Sequence, residues 1–220
     1  MKTLTKIMTI AASAAILVSC ASGPTPEETA AKAETEAKAA LDGEYAINTN
    51  ESKLMWEGNM LKIGGVSLYG HTGTLEFQKG MVKTADGKIT EGMLIVDMKT
   101  LTPTDENYKP EEGQGKADLV GHLASPDFFS VEEFPTASFK VTGMEEGKIM
   151  GEMTIRGITH PEVIENVTMD QMEGKISAKG TLTLDRQKYG VAFKAPYEDK
   201  VVSDDLDLQF VLVADKGATI

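Results

Sequence analysis

The stretch Leu206-Asp207-Leu208-Gln209-Phe210-Val211-Leu212 alternates by residue. Leu206, Leu208, Phe210 and Leu212 fall on one parity, and Asp207 and Gln209 on the other. Successive side chains of a strand point to opposite faces, so this is a strand with one dry face and one wet face. The same pattern recurs upstream. Leu54 and Trp56 alternate with Lys53, Met55 and Glu57, and Leu75 and Phe77 with Thr74, Glu76 and Gln78. Leu94, Val96 and Met98 alternate with Asp97 and Lys99, and Phe139 and Val141 with Lys140 and Thr142. Met153 and Ile155 alternate with Thr154 and Arg156, and Leu182 and Leu184 with Thr181, Thr183 and Asp185.

Turn signals separate these runs: Gly64-Gly65, Asp86-Gly87, Glu146-Gly147 and Glu173-Gly174. Asp-Gly is a strong two-residue hairpin pair because both central positions need positive φ. Many short strands at this spacing make an all-β sandwich or barrel. A closed barrel gives every strand a dry face and leaves no edge exposed. With about eight strands, its interior holds either packed side chains or one small ligand, and periodicity does not choose between them. One helix is expected near Gly115 to Ser125, where Ala117, Leu119, Val120, Leu123 and Ala124 share a face, and Pro126 limits it. No internal repeat stands out.

The N-terminus reads differently. Lys2 and Lys6 precede an apolar run from Ile7 to Val18, broken by Thr9 and Ser13. That run is short for a bilayer span, which takes about 20 residues, but fits a signal-peptide core of ~7–15 residues. It closes on Leu17-Val18-Ser19-Cys20, which resembles the bacterial lipobox, and Cys20 is the single cysteine. Lipidation is therefore expected at Cys20, with residues 1–19 as signal peptide. Several acyl chains make a stable anchor, where one is marginal. Ala21, rather than an Asp, follows Cys20, which by resemblance to lipoprotein sorting favours the outer membrane, facing the periplasm. Residues 20–43, rich in Ala, Glu, Lys, Thr and Pro, read as a tether, disordered or partly helical from Glu27 to Leu41. The folded domain is expected over 44–215, with a short tail over 216–220.

Asp and Glu number 34 against 22 Lys and Arg, a net charge of −12. This argues against a nucleic-acid partner and against lying flat on anionic lipid. His71, His122 and His160 are far apart and show no metal-ligand spacing, so no metal is expected. His122 has two readings, as a support for the loop after the helix or as a contact to a ligand head group. Arg156 and Arg186 sit beside strand residues on the polar parity, where either could pair with a carboxylate on the outer wall; the functional reading has one of them bind a pyrophosphate or quinone head group. Asp204-Asp205 and Glu111-Glu112 read as solvated loop charges. No Ser/His/Asp set, catalytic cysteine or Gly-rich phosphate loop is seen, so neither catalysis nor a cofactor is expected.

Three segments carry a family resemblance. Gly121-His122-Leu123-Ala124-Ser125-Pro126-Asp127-Phe128-Phe129, with Glu133-Phe134-Pro135-Thr136-Ala137-Ser138-Phe139, is similar to "HL-x-S-x-DFF … (Y/F)P-x-A-x-F". Gly151-Glu152-Met153-Thr154-Ile155-Arg156-Gly157-Ile158-Thr159 is similar to "G-x-LTI-x-GIT", with Met153 for the usual leucine. Leu184-Asp185-Arg186-Gln187-Lys188-Tyr189-Gly190-Val191 is similar to "(I/L)DR-x-(D/K)-(F/Y)G-(V/I)". In this order they resemble the YceI-like, polyisoprenoid-binding family, and the opening strand with His71-Thr72-Gly73 fits a lipoprotein branch of it. The resemblance spans roughly Gly43 to Ala214. It implies a lipocalin-like, eight-stranded antiparallel barrel with one short helix, and an elongated apolar cavity. It also implies a long-chain isoprenoid or similar amphiphile as partner, with fatty acids or their amides as the nearby alternative. A ligand-free envelope interaction module is the rival of a different class.

The dry-face residues are then the candidate lining: Leu54, Trp56, Leu75, Phe77, Leu94, Val96, Met98, Phe139, Met153, Ile155, Leu182, Phe193, Leu208 and Phe210. Phe128, Phe129 and Phe134 are expected to close one end.

Overall fold

The computed structural model describes residues 25–172, 174–195 and 198–217. Cys20 and the signal segment lie outside the described residues, as do Glu173 and the end of the tail. The chain divides into two units, 1–35 and 36–220. A first helix, α1 (Pro26–Leu41), begins in the former and ends in the latter. Thr25 caps it: its N–H donates to Glu28 Oε2 at 2.7 Å, and Glu28 N–H donates back to Thr25 Oγ1. Among the described residues, no helix is long and apolar enough to cross a membrane.

The second unit is a closed barrel. Its strands are β1 (Gly43–Ile47), β2 (Lys53–Lys62), β3 (Ser67–Ala85), β4 (Lys88–Pro103), β5 (Thr136–Glu145), β6 (Lys148–Ile155), β7 (Ile158–Met172), β8 (Lys175–Asp185) and β9 (Lys200–Lys216). Nine segments make eight staves, because β1 and β2 both lie between β3 and β9. Ala46 pairs with Met81 and Asp215, and further along Leu54 pairs with Leu75 and Phe210. Every neighbour is antiparallel, and pairing of β3 with β4 and of β9 with β8 completes the ring. No stave is left as an edge. Among the described residues there are two α-helices, α1 and α2 (Lys116–Ala124), matching the partly helical tether and the one short helix that the sequence led us to expect.

Tight turns join the staves as the Gly pairs predict. Asp86-Gly87 and Glu146-Gly147 have positive φ at both residues, between strand ends paired Ala85 to Lys88 and Glu145 to Lys148. Arg156-Gly157 makes the same turn between Ile155 and Ile158. These turns keep consecutive strands in register, so the dry parity of each points inward.

One end of the barrel is sealed. Tyr45 and Ile176, with Ile89, Ile149 and Ala214, are buried there. The Tyr45 hydroxyl donates to the Leu41 carbonyl at 2.6 Å, and that carbonyl also accepts from Thr84 Oγ1 and Gln171 Nε2. The carbonyl at the helix end thus finds the partners that a helical hydrogen bond no longer supplies. The other end carries α2 and the loops.

Candidate ligand cavity and its mouth

Inside the barrel lies an apolar cavity of about 130 Å³. Leu54, Trp56, Leu75, Phe77, Leu94, Val96, Met98, Phe139, Met153, Ile155, Leu182, Leu208 and Phe210 line it from the staves, and Phe128 and Phe129 from the loop after α2. Sequence reasoning passed over Leu101, Leu123, Ala137, Ile164, Val202 and Leu206, which also line it. Leu206 lay in plain sight on the dry parity. Leu123 lay on the apolar face of the helix. Ile164 had no clean alternation to betray it, because its neighbour Val163 is apolar and exposed.

Two nominated residues are placed elsewhere. Phe193 follows the last 3₁₀ turn and lines the outer chamber, not the barrel interior. Phe134 is half-buried beside the Arg156-Gly157 turn and does not line the interior, because the turn and not the barrel mouth is what it covers.

That outer chamber, about 330 Å³, shares Trp56, Gly58, Leu123, Phe128 and Val202 with the inner cavity. Its walls come from the β2–β3 hairpin, the loop before α2, α2 itself and Phe193. His122 meets the Phe193 ring edge-on at 4.5 Å and the Phe128 ring at 5.4 Å. His71 stacks on Tyr108, ring centres 5.0 Å apart, and its Nδ1 lies 3.2 Å from Asp105 Oδ1. Asp105 also accepts from the Tyr108 hydroxyl at 2.8 Å and from the backbone N–H groups of Thr72 and Asn107. Burial opposes its ionisation, yet these hydrogen bonds outweigh burial and hold the carboxyl at about 2. The Tyr108 hydroxyl is pushed up by burial and by donating to that carboxylate. Asp118 caps α2 by accepting from Gly115 N–H at 2.8 Å. Among the described residues lining this chamber there is no Lys or Arg, while the Lys116 ammonium lies 5.5 Å from the centre of the Tyr108 ring.

The arginines differ from expectation. Arg186 is buried, not on the outer wall, and reaches the inner cavity. Strand β8 ends at Asp185, so strand parity no longer aims the next side chain. Its Nε donates to Ser203 O at 2.8 Å, its Nη1 to Val191 O, and its Nη2 to Val202 O and to Asp204 Oδ1 at 3.0 Å. Burial pushes the guanidinium pKa down, against the charges of Asp204 and Asp185. Asp204 and Asp205 are exposed, as expected, but lie on strand β9 and not in a loop, and Asp204 pairs with Arg186. Glu112 pairs with Lys109. Arg156, in the left-handed position of its turn, finds carbonyls where a carboxylate was expected. Its Nη1 donates to Phe128 O and, at 3.0 Å, to Gly190 O.

Those two bonds account for the three sequence segments. Arg156 of the second ties Phe128 of the first to Gly190 of the third. Phe134 packs over Gly157, Ile158 approaches Gly190, and the buried Tyr189 donates to Glu162 at 2.9 Å. The segments are one rim, which seats the Phe128-Phe129 loop over the cavity. They hold the rim together and also supply part of the lining, among it Leu123, Phe128, Phe139, Met153 and Ile155.

Comparison with known proteins agrees with this geometry. A UPF0312 protein of Staphylococcus aureus (strain USA300) is 30% identical over 132 residues, 57% of this chain and 73% of that one. The fold matches Burkholderia cenocepacia BcnA with TM-score 0.58 at 20% identity, over 76% of this chain and 99% of that one. It matches a polyisoprenoid binding domain from Saccharophagus degradans, implicated in plant cell wall breakdown, with TM-score 0.50 at 14% identity, over 78% and 98%. The model of the YceI-like domain matches residues 45–214, nearly the whole barrel, and the chain belongs to the YceI-like family.

Proposed function

We propose that this chain is a membrane-tethered binding protein of the bacterial envelope. In this reading it is held by acyl chains on Cys20, faces the periplasm from the outer membrane, and keeps a long apolar chain in its barrel. The observation that carries the reading is an apolar cavity, closed at one end, that adjoins a wider and still mostly apolar chamber with a few polar groups and, among the described residues, no lining Lys or Arg. Burying apolar surface is worth roughly 25 cal/mol per Å², so such a lining holds an insoluble tail without specific polar contacts. The Saccharophagus domain of the same fold is described as polyisoprenoid binding.

The chamber also speaks to the head group. Asp118 is the carboxylate on its lining, Asp105 stands behind His71 and Tyr108, and the Arg186 guanidinium is engaged by Asp204 and three carbonyls. A diphosphate or a free carboxylate would meet the Asp118 carboxylate there, while Lys116, whose ammonium lies 5.5 Å from the Tyr108 ring centre, is already paired to Glu106. An uncharged head that accepts or donates hydrogen bonds, as in an isoprenoid quinone or polyprenyl phenol, fits. So does a fatty amide, the second candidate.

Native mass spectrometry with lipid extraction, on protein purified from its host, tests both points. The expected result is a stoichiometric neutral isoprenoid that resists dilution. A phosphorylated lipid would refute the head-group assignment. An empty barrel that takes up no added isoprenoid or acyl chain would refute the binding role and leave an envelope interaction module.

A further inference from the structure

The β2–β3 hairpin extends beyond the ring. On one side β8 stops at Asp185, opposite Asp205, while β9 begins at Lys200 and pairs its first residues with β2 alone. On the other, β4 stops at Pro103, opposite Gly73, so the first residues of β3 ladder only with β2. The projecting tip is Ile63-Gly64-Gly65-Val66, closed by Lys62 N–H to Val66 O at 2.8 Å. Both glycines have positive φ, and neither adds a side chain. The side chains that remain are apolar and in water: Ile63 is 63% exposed and Val66 64%, with Leu68, Tyr69 and Val201 exposed behind them. From Gly58 to Leu75 there is no acidic residue, in a chain with 34, although Asp199, just before β9, lies beside the tip and its carbonyl accepts from Ile63 N–H at 3.0 Å. Lys62 and Lys200 face each other on the last rung below the tip.

Met60, Tyr69 and Gly70 of this hairpin line the outer chamber. Whatever covers the tip therefore lies beside the mouth. A narrow projection with apolar groups on its turn and flanks suits a fluid solvent that can surround it, rather than the flat patch of a protein interface. Lysines just behind such a tip sit at the level of lipid phosphates.

We propose that the β2–β3 tip inserts into the surface of a lipid bilayer and brings the mouth against the source of its cargo. The inference rests on the proposed binding of a long apolar chain. The tail then passes from membrane to barrel with little exposure to water, which is the slow step for an insoluble molecule.

The test uses residues 20–220, the expected processed chain, carrying Cys20→Ser, so that neither an acyl anchor nor the apolar signal segment contributes. Hydrogen–deuterium exchange is followed with and without phosphatidylcholine vesicles, which isolates apolar insertion from charge. Vesicles should protect the amides around residues 60–69, and Ile63→Ser/Val66→Ser should abolish that protection. With vesicles carrying a fluorescent polyprenol, the double variant should load about tenfold more slowly yet reach the same final occupancy, since two apolar anchors are lost and the barrel is untouched. Unchanged exchange at the hairpin, or equal loading rates, would overturn the proposal. Protection that rises with protein concentration in the absence of vesicles would overturn it in favour of a second copy of the chain. If neither protein ever loads the probe while vesicles still protect the hairpin, the binding reading fails and the docking stands.

Discussion

The indole of Trp56 lies across Gly73 of the neighbouring strand. The two are register partners, and a Cβ added at Gly73 would fall 2.3 Å from Cζ2 of the ring. Absence of a side chain at Gly73 is what lets the ring lie flat where inner cavity and outer chamber meet. Phe210 over Gly180 repeats the arrangement on another pair of staves. Gly73→Ala should cost about 1–3 kcal/mol, the usual cost of overpacking. Because Trp56 is the only tryptophan, its emission should shift in the same variant. Urea unfolding and a fluorescence spectrum check both, and an unchanged spectrum with full stability would mean that the ring has another place to go.

Trp56 supports a second expectation. Its Nε1 is buried with no hydrogen-bond partner. An unsatisfied buried donor costs about 1–3 kcal/mol. Trp56→Phe removes the donor and keeps most of the apolar surface, so the empty barrel should lose little stability. If a ligand oxygen takes that N–H, affinity should fall severalfold while stability holds; equal affinity of both proteins would show that the ligand ignores it.

Arg186 should be far less replaceable than its ionic partner. Three of its four acceptors are carbonyls that fix β9 and the 3₁₀ turn, and Asp204 is about half exposed. Arg186→Met leaves those carbonyls short of donors and should cost about 3–5 kcal/mol, as buried pairs do when one partner is removed. Asp204→Ala, an exposed partner, should cost no more than about 1 kcal/mol. Similar losses in the two unfolding curves would mean that the ion pair, not the carbonyl set, is what holds the turn.

Acid should loosen the mouth before the barrel. Asp105 ionises at about 2 in the fold, below the ordinary 3.8, so its ionised form favours the folded state. That contribution, about 1–2 kcal/mol, is complete above the ordinary value and disappears as pH falls from about 4 towards 2. Asp105→Asn should be less stable at neutral pH and show a flatter acid limb. Thermal melts across that window decide it; parallel curves for the two proteins would remove Asp105 from the account.

Filling the interior should separate binding from folding. Leu182 is buried and lines the inner cavity. Leu182→Phe should cost about 1–3 kcal/mol through overpacking and reduce uptake of a long chain more than of a short one. Titration with polyprenols of increasing length reads this; an equal loss at every length would place the binding outside the barrel.

Much of this architecture was legible in the alternation. Once each stave was read by parity, its inward residues followed, which is why residues as distant as Leu54 and Phe210 meet on one cavity wall. Parity failed where strands end. Arg186 follows β8 into a 3₁₀ turn and swings inward, and Phe193 lies in the loop beyond. It was silent where a stave is broken, as between β1 and β2, which only pairing reveals as one position in the ring. The role of Arg156 was hidden for another reason. Its partners are backbone carbonyls, which every residue has and no sequence pattern marks.

The sealed end has a consequence for what the barrel can tell apart. Tyr45, its hydroxyl on the Leu41 carbonyl, closes a tube that is open at one end only. On the proposed reading, cargo enters tail first and leaves head first. Such a tube is a gauge. A tail shorter than the bore lets its head sink past His122 and Tyr108, and a longer one holds the head clear of them. Chain length, which an apolar wall cannot sense by contact, becomes legible as the height at which the head comes to rest.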